Sequence, residues 1–355
     1  MKKRVILMTP SMSKGGAETQ LLKIALFLKS KHHKVLIISL KPIDEFKGDI
    51  RKTGLEILFL KNWFRYPFSN IFKLYRTIRQ FRPDVVIAFM FIAIIFARLL
   101  KLTAKFKLIS TIRISVIPKK WYLAFKLTRR FDDAIVYNSF ASMVNFERQK
   151  LVSIGGLVIH NGIRMPKCYD LVDDVKNKHF KWVCIGHFRW NKDYLTLFKA
   201  IARLKHINFT VDIVGDLKGE VWPHQIIEKY EIQQHVNILG FKKESQSYLM
   251  QSDAFVLSSF SEGMPNAILE AMAYAKPTVV TDIDGNRELV GSAMCGLLCE
   301  KQNAKDLATN MLKIMNMSLA DRVMLGKNGQ LHIQKMFSEE KVMNEWMQLI
   351  DKLAC

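Results

Sequence analysis

The first half of this chain runs short of acidic residues. From Met1 to Cys168 there are 32 Lys and Arg against 9 Asp and Glu, a balance of +23, while the remainder has 22 against 23, giving the net charge of +22. A cationic body joined to a neutral one implies a polyanionic partner for the first: nucleic acid, anionic lipid headgroups or a pyrophosphate-bearing substrate. Cysteine is scarce as well. Cys168, Cys184, Cys295, Cys299 and Cys355 are odd in number and scattered. The CxxxC of Cys295 and Cys299 lacks a second pair or nearby histidine, so reduced thiols in a cytoplasmic protein are expected rather than a disulfide framework or a zinc site. Long apolar runs are missing: the greasiest stretch, Val85 to Ala97, has 13 uncharged residues before Arg98. A membrane-spanning helix needs ~20, so a buried strand running into a buried helix is expected there. The opening MKKRVILMTPSMSKGG is apolar for only a strand's length, unlike a signal peptide. There is no GxGxxG fingerprint, no internal repeat and no low-complexity tract. Zinc knuckles, RNP aromatics and KH loops are equally absent, which weighs against a nucleic-acid reader.

What is present is alternation. Short β-rich runs (RVILMTP, KVLIISL, LEILFL, DVVIAF, KLIST, DAIVYNS) alternate with helical patterns, the signature of a parallel sheet with crossover helices. A polar stretch of mixed charge follows, and the alternation restarts at KWVCIGHF. The reading is an N-terminal doubly wound domain over residues 1–163, a linker over 164–180, and a second doubly wound domain over 181–338. A final helix spans 339–355. Ligands in open α/β sheets sit beyond the carboxyl ends of the strands, so a cleft between two facing sheets is the expected site.

Three strand-end segments carry chemistry. In SEGMPNAILEAMAYA, Gly263 lets a ligand approach the backbone and Pro265 suits a first helical turn. The amides there, through Met264 and Asn266, make an anion pocket. Glu262 precedes the helix and Glu270 lies one turn beyond Asn266; a carboxylate at this place accepts two hydrogen bonds from a vicinal diol. In CIGHFRWNKDY, His187, Arg189 and Lys192 place cations where a diphosphate would sit. In TPSMSKGGAETQ, Gly15 and Gly16 allow a tight turn with exposed amides. Each of these is also explicable as solvated surface charge or turn chemistry. Asp282 and Asp284 have the DxD spacing of metal-dependent sugar-nucleotide enzymes, a pattern that arises often by chance.

The ordered set GGAE, NGI, GHFRWNK, VGD, LG, SEGMPNAILEAMA and TDIDGNRELV resembles the retaining glycosyltransferases of family 4, of the GT-B fold, over nearly the whole chain. That resemblance implies an α/β architecture of two Rossmann-like doubly wound domains facing a central cleft. It also implies transfer of a sugar from a nucleotide-sugar donor, UDP-linked, to a glycan or lipid-pyrophosphate-linked acceptor in cell-surface polysaccharide assembly. No metal or other cofactor is implied. Glu270 would hold the ribose diol, Glu262 the donor sugar, Lys192 the diphosphate, and Leu239 and Gly240 the nucleobase. The Gly15–Gly16 loop would close over the phosphates, and the last helix would return to the N-terminal domain. Two positions depart from the family: Gly186-His187 replaces Gly-Arg, with Arg189 as a substitute, and Phe89 and Phe91 stand where a histidine is common. His187 would then make donor affinity depend on pH near ~6.5. Arg113 is the nearest polar substitute on the acceptor side.

The stretches LKNWFRYPFSNIFKLYRTIRQFRP and RISVIPKKWYLAFKLTRR interleave aromatics with cations, a mixture suited to an anionic membrane surface. The expectation is a cytoplasmic enzyme held peripherally at the inner face of the cell membrane. The rivals are a metal-dependent transferase using Asp282 and Asp284, and a basic nucleic-acid-binding protein without catalysis.

Overall fold

The computed structural model describes residues 2–354 apart from Lys47, Asp49, Arg51, Ser115, Val116 and 167–178. Cys168 and most of the expected linker lie outside the described residues, as does Cys355.

Two all-parallel sheets organise the chain. The first has the order β3-β2-β1-β4-β5-β6-β7, built from β1 (Arg4–Thr9), β2 (Lys34–Ser39), β3 (Glu56–Phe59), β4 (Val85–Phe89), β5 (Lys107–Ile112), β6 (Ala134–Tyr137) and β7 (Leu157–Val158). The second has the order β10-β9-β8-β11-β12-β13, from β8 (Phe180–Ile185), β9 (Phe209–Val214), β10 (Val236–Gly240), β11 (Ala254–Leu257), β12 (Thr278–Thr281) and β13 (Gly296–Cys299). Both orders reverse direction at one point: between β1 and β4 in the first sheet, and between β8 and β11 in the second. A doubly wound sheet binds its ligands at such a switch point.

Alternating strand residues sort into two layers, as a period of two requires. In β1, Ile6 and Met8 join one buried cluster, while Val5 and Leu7 join the other. The first cluster is covered by α2 (Pro67–Phe81), α3 (Met90–Leu100), α4 (Tyr122–Thr128) and α5 (Phe140–Arg148). The Val85–Ala97 run is a buried strand passing directly into a buried helix, with Met90 at the junction held at φ 67°. Inside this layer Arg98 and Asp132 form a fully buried bidentate pair, Nε to Oδ1 at 2.8 Å, and Ser110 donates to the same carboxylate.

The second cluster is covered by α1 (Gly16–Ser30) and by α12 (Glu339–Leu353), whose Val342, Met343, Trp346, Leu349 and Ile350 repeat at helical spacing. Lys3 Nζ meets Asp351 Oδ1 at 2.8 Å and the Ile350 carbonyl at 3.3 Å, a cation at a helix carboxyl end. Residues 1–162 and 340–355 thus form one compact unit and residues 163–339 the other. Ile163 belongs to the second unit, where its N–H donates to the Phe337 carbonyl at 2.8 Å and its own carbonyl accepts from Glu339 N at 2.9 Å. Cys184, Cys295 and Cys299 are buried free thiols, and burial pushes each up to about 12.

Candidate functional site

In the second unit the loops after β8 and β11 leave the sheet on either side of its switch point. They carry Lys192 and Glu262 respectively. The Lys192 ammonium and the Glu262 carboxylate meet at 2.7 Å, with side chains only 15% and 14% exposed. Several contacts fasten the two loops together. Ser258 Oγ donates to the carbonyls of Lys192 and Asp193, each at 3.0 Å. Phe260 N donates to the Asn191 carbonyl at 3.0 Å, and Asn191 Nδ2 donates to the Ser261 carbonyl at 3.0 Å. The Lys192 stem lies across Gly186, where a Cβ would stand 3.2 Å from Lys192 Cε. Asp193 adopts the left-handed conformation at φ 49° and caps α6 (Tyr194–Arg203), accepting from Thr196 Oγ1 at 2.7 Å.

Gly215, at the end of β9, packs against the Gly186 backbone so closely that a Cβ there would stand 1.9 Å from the Gly186 carbonyl oxygen. This approach brings Asp216 beside His187, whose Nδ1 accepts from Asp216 N at 3.0 Å. The neutral ring therefore carries its proton on Nε2, a donor for a phosphate oxygen. Burial, helped by Arg189 and Lys218 against the opposing Asp216, holds His187 below its ordinary range. The expectation of a transition near ~6.5 is thus corrected downward, because the imidazolium is both desolvated and repelled by neighbouring cations. The ring also stacks on Phe241, with centroids 6.0 Å apart. Arg189 is exposed, while Leu239 and Gly240 close β10, the glycine at φ 71° with its carbonyl accepting from Gly215 N at 2.9 Å.

The segment after β11 turns through Gly263, Met264 and Pro265 into α9 (Asn266–Ala273). Pro265 occupies the N-cap and cannot itself cap the first-turn amides. Ile268, Leu269, Ala271, Met272 and Ala273 are buried, which leaves Asn266, Glu270 and Tyr274 on a half-buried stripe. Gly285 supports the turn from behind: a Cβ there would fall 2.3 Å from the Gly263 carbonyl oxygen. Asp282 and Asp284 are gripped by one guanidinium, Arg287 Nε to Asp282 Oδ1 at 2.7 Å and Nη1 to Asp284 Oδ1 at 3.2 Å. The two carboxylates share that one counter-ion, and no group of three metal-ligating side chains occurs among the described residues.

In the first unit, Gly15 is the N-cap of α1 in extended conformation, φ −151°, not a left-handed turn, and its carbonyl accepts from Thr19 N at 3.0 Å. Gly16 is exposed at the first helical position. Arg113 departs from expectation. It is 7% exposed, with Nη1 donating to Asn161 Oδ1 at 2.7 Å and Nε donating to Thr111 Oγ1 at 2.9 Å. The guanidinium sits over the rings of Phe89 and Trp346 at 5.7 and 5.6 Å, and burial lowers its pKa to about 9. So enclosed, it braces β5 against α12, where the expectation was a strand-end cation open to solvent. Asn191, Ser258, Asp216 and Arg287 escaped the sequence reading, because each acts through a backbone atom or a neighbour that only the fold brings close.

The model of Glycosyltransferase Family 4 matches residues 14–165, and that of Glycosyl transferases group 1 matches residues 173–332. An uncharacterized glycosyltransferase of Methanocaldococcus jannaschii is 26% identical over 295 residues, 73% of this chain and 70% of that one. The N,N'-diacetylbacillosaminyl-diphospho-undecaprenol alpha-1,3-N-acetylgalactosaminyltransferase of Campylobacter jejuni is 22% identical, covering 96% of this chain and 98% of its own. The crystal structure of Anabaena HepE in complex with UDP superposes with a TM-score of 0.87 at 20% identity, covering 99% of this chain and 100% of that one. The two adjoining family matches and the paired doubly wound sheets place the chain among the family 4 glycosyltransferases of the GT-B fold.

Proposed function

We propose that the enzyme moves a sugar from a UDP-linked donor to a lipid-pyrophosphate-linked or glycan acceptor, with retention of configuration and without a metal, in cell-surface polysaccharide assembly. The observation that carries the reading is the Lys192–Glu262 pair set beside the N-terminus of α9 at the switch point of the second sheet. A cation, a histidine N–H and first-turn amides suit a diphosphate, and a carboxylate on α9 suits the ribose diol. The UDP seen in the Anabaena neighbour and the diphospho-undecaprenol acceptor in the Campylobacter relative's name agree with this choice. In the proposed step the bond between the anomeric carbon and the diphosphate oxygen breaks while the acceptor oxygen bonds to that carbon. The acceptor proton passes to the departing phosphate, whose charge Lys192, Arg189, His187 and the α9 amides stabilise. The engagement of Asp282 and Asp284 by Arg287 supports a metal-independent route over the DxD rival.

The acceptor class agrees with the surface of the first unit. No helix among the described residues is long and apolar enough to cross a membrane. Yet the helical layer α2–α5 and the turn before it carry large apolar side chains outward: Phe64, in that turn, is 100% exposed and Phe68 84%, with Phe72, Leu123, Leu127 and Phe140 also exposed. From Lys61 to Phe131 the chain has 16 Lys and Arg and one acid, Asp84, whose carboxylate accepts from Arg4 N. Exposed apolar side chains in so cationic a stretch suit an anionic bilayer surface, on the cytoplasmic side in this reading.

The deciding experiment incubates the protein with radiolabelled UDP-sugars and a lipid-diphosphate-linked acceptor in the presence of a chelator. Transfer with the donor's anomeric configuration kept supports the proposal. Transfer that requires a divalent ion, or gives the opposite anomer, contradicts it.

A further inference from the structure

The Lys192–Glu262 contact leads beyond the assignment of each residue to a separate part of the donor. We infer that Glu262 is the internal counter-ion of Lys192, and that a nucleoside diphosphate binds by taking the ammonium away from it. This inference rests on the donor site proposed above.

Three observations support the exchange. First, the pair is direct and mostly shielded, 2.7 Å long with both side chains about six-sevenths covered. In such surroundings a lysine bound to a carboxylate has little affinity left for a second anion unless the first gives way. Second, the loops do not depend on the pair. The bonds from Ser258 Oγ, Phe260 N and Asn191 Nδ2 to the opposite loop hold both backbones whether or not the two charges touch. Third, each partner has somewhere to go. The Lys192 stem rests on Gly186, where even a Cβ would crowd it at 3.2 Å from Cε, so no side chain locks the stem from that side. Asn191 Nδ2 stands 3.5 Å from the same Glu262 oxygen and tightens on it once the lysine leaves.

The chemical consequence is a change of role on binding. While paired, Glu262 is a neutralised acceptor. Once Lys192 turns to the diphosphate, the carboxylate loses its ionic partner and gains capacity to accept a sugar hydroxyl beside Asn191. The diphosphate thus switches on the group that recognises the hexose, and free sugar alone finds that carboxylate occupied.

The test is calorimetric titration of wild type, Glu262→Gln, Lys192→Met and the double variant with UDP, ADP, GDP, CDP and dTDP, alongside donor kinetics. Glu262→Gln keeps the shape and removes the competing charge. It is expected to bind the preferred diphosphate about five-fold more tightly or more, the upper end of what exposed ion pairs contribute. Its turnover of the nucleotide sugar falls at the same time. Lys192→Met weakens the diphosphate, and adding Glu262→Gln to it brings no further gain. Wild-type binding with an unchanged or weaker Kd in Glu262→Gln overturns the exchange while leaving the donor site standing. Wild type that binds no nucleoside diphosphate overturns both. Circular dichroism of each variant separates a folding defect from a binding one, and inorganic pyrophosphate, which lacks the base and ribose, must show the same order of affinities.

Discussion

The close approach of two strand ends gives a quantitative test through Gly215→Ala. The added Cβ would stand 1.9 Å from the Gly186 oxygen, 2.4 Å from the Gly186 carbonyl carbon and 3.0 Å from His187 N. Real Cβ contacts stop near 3.0 Å, so the two backbones must part by about 1.1 Å. The strand end that moves carries His187, supports the Lys192 stem and accepts the Tyr194 hydroxyl. Overpacking of this kind costs about 1–3 kcal/mol, or ~2–4 °C of Tm for each kcal/mol in a unit of this size. A displacement of ~1 Å in groups that hold the reacting phosphate costs on the order of 100-fold in rate. Release of nucleoside diphosphate, followed well below the melting temperature, reads the effect, and circular dichroism confirms that the variant is folded. Gly155→Ala, where a Cβ meets nothing within 4 Å, is the control and should be silent. A folded Gly215→Ala enzyme with wild-type kcat and donor KM would refute the placement of the diphosphate at this strand end.

The depressed pKa of His187 makes the ring neutral in the fold and protonated in the unfolded chain just below pH ~6.5. The stability advantage of wild type over His187→Gln should therefore be constant above pH ~6.5 and shrink as pH falls below it; an advantage that grows on acidification contradicts the Asp216 N–H contact. Vesicles of anionic lipid should co-sediment the protein in low salt and release it in part in high salt. Phe64→Ser with Phe68→Ser should abolish the salt-resistant fraction, and equal binding to neutral vesicles would count against the cationic layer. Gly285→Ala, pressing on the Gly263 carbonyl, should raise donor KM several-fold while leaving the first unit's stability untouched, as differential scanning calorimetry can show.

Much of this was legible in the sequence for identifiable reasons. Buried parallel strands read as near-continuous aliphatic runs, so Val5–Met8 and Val85–Phe89 declared themselves. The helix of Val342, Met343, Trp346 and Ile350 shows its stripe in the sequence. Lys192, Glu262 and Glu270 stood out as candidates because strand-end turns limit where charges can gather. Pairings across the sheet were not legible. Nothing in the spacing of Lys192 and Glu262, 70 residues apart, says that they touch; the reversal of strand order at β8 and β11 decides that. The burial of Arg113 was not legible either, because a strand-end arginine looks the same in sequence whether it faces solvent or lies between Phe89 and Trp346, and Trp346 arrives from the far end of the chain. That Asp282 and Asp284 share Arg287, which follows one turn on, was likewise hidden in the DxD spacing.

Thermal unfolding of wild type and Glu270→Ala with a panel of nucleoside diphosphates and their sugars tests most directly whether the second unit holds the donor. A ligand at 100 times its Kd adds ~2.7 kcal/mol, so one diphosphate family should raise the wild-type Tm by ~5–10 °C, and Glu270→Ala at the same concentrations should lose most of that rise. A panel that moves neither protein, or moves both equally, would contradict the account.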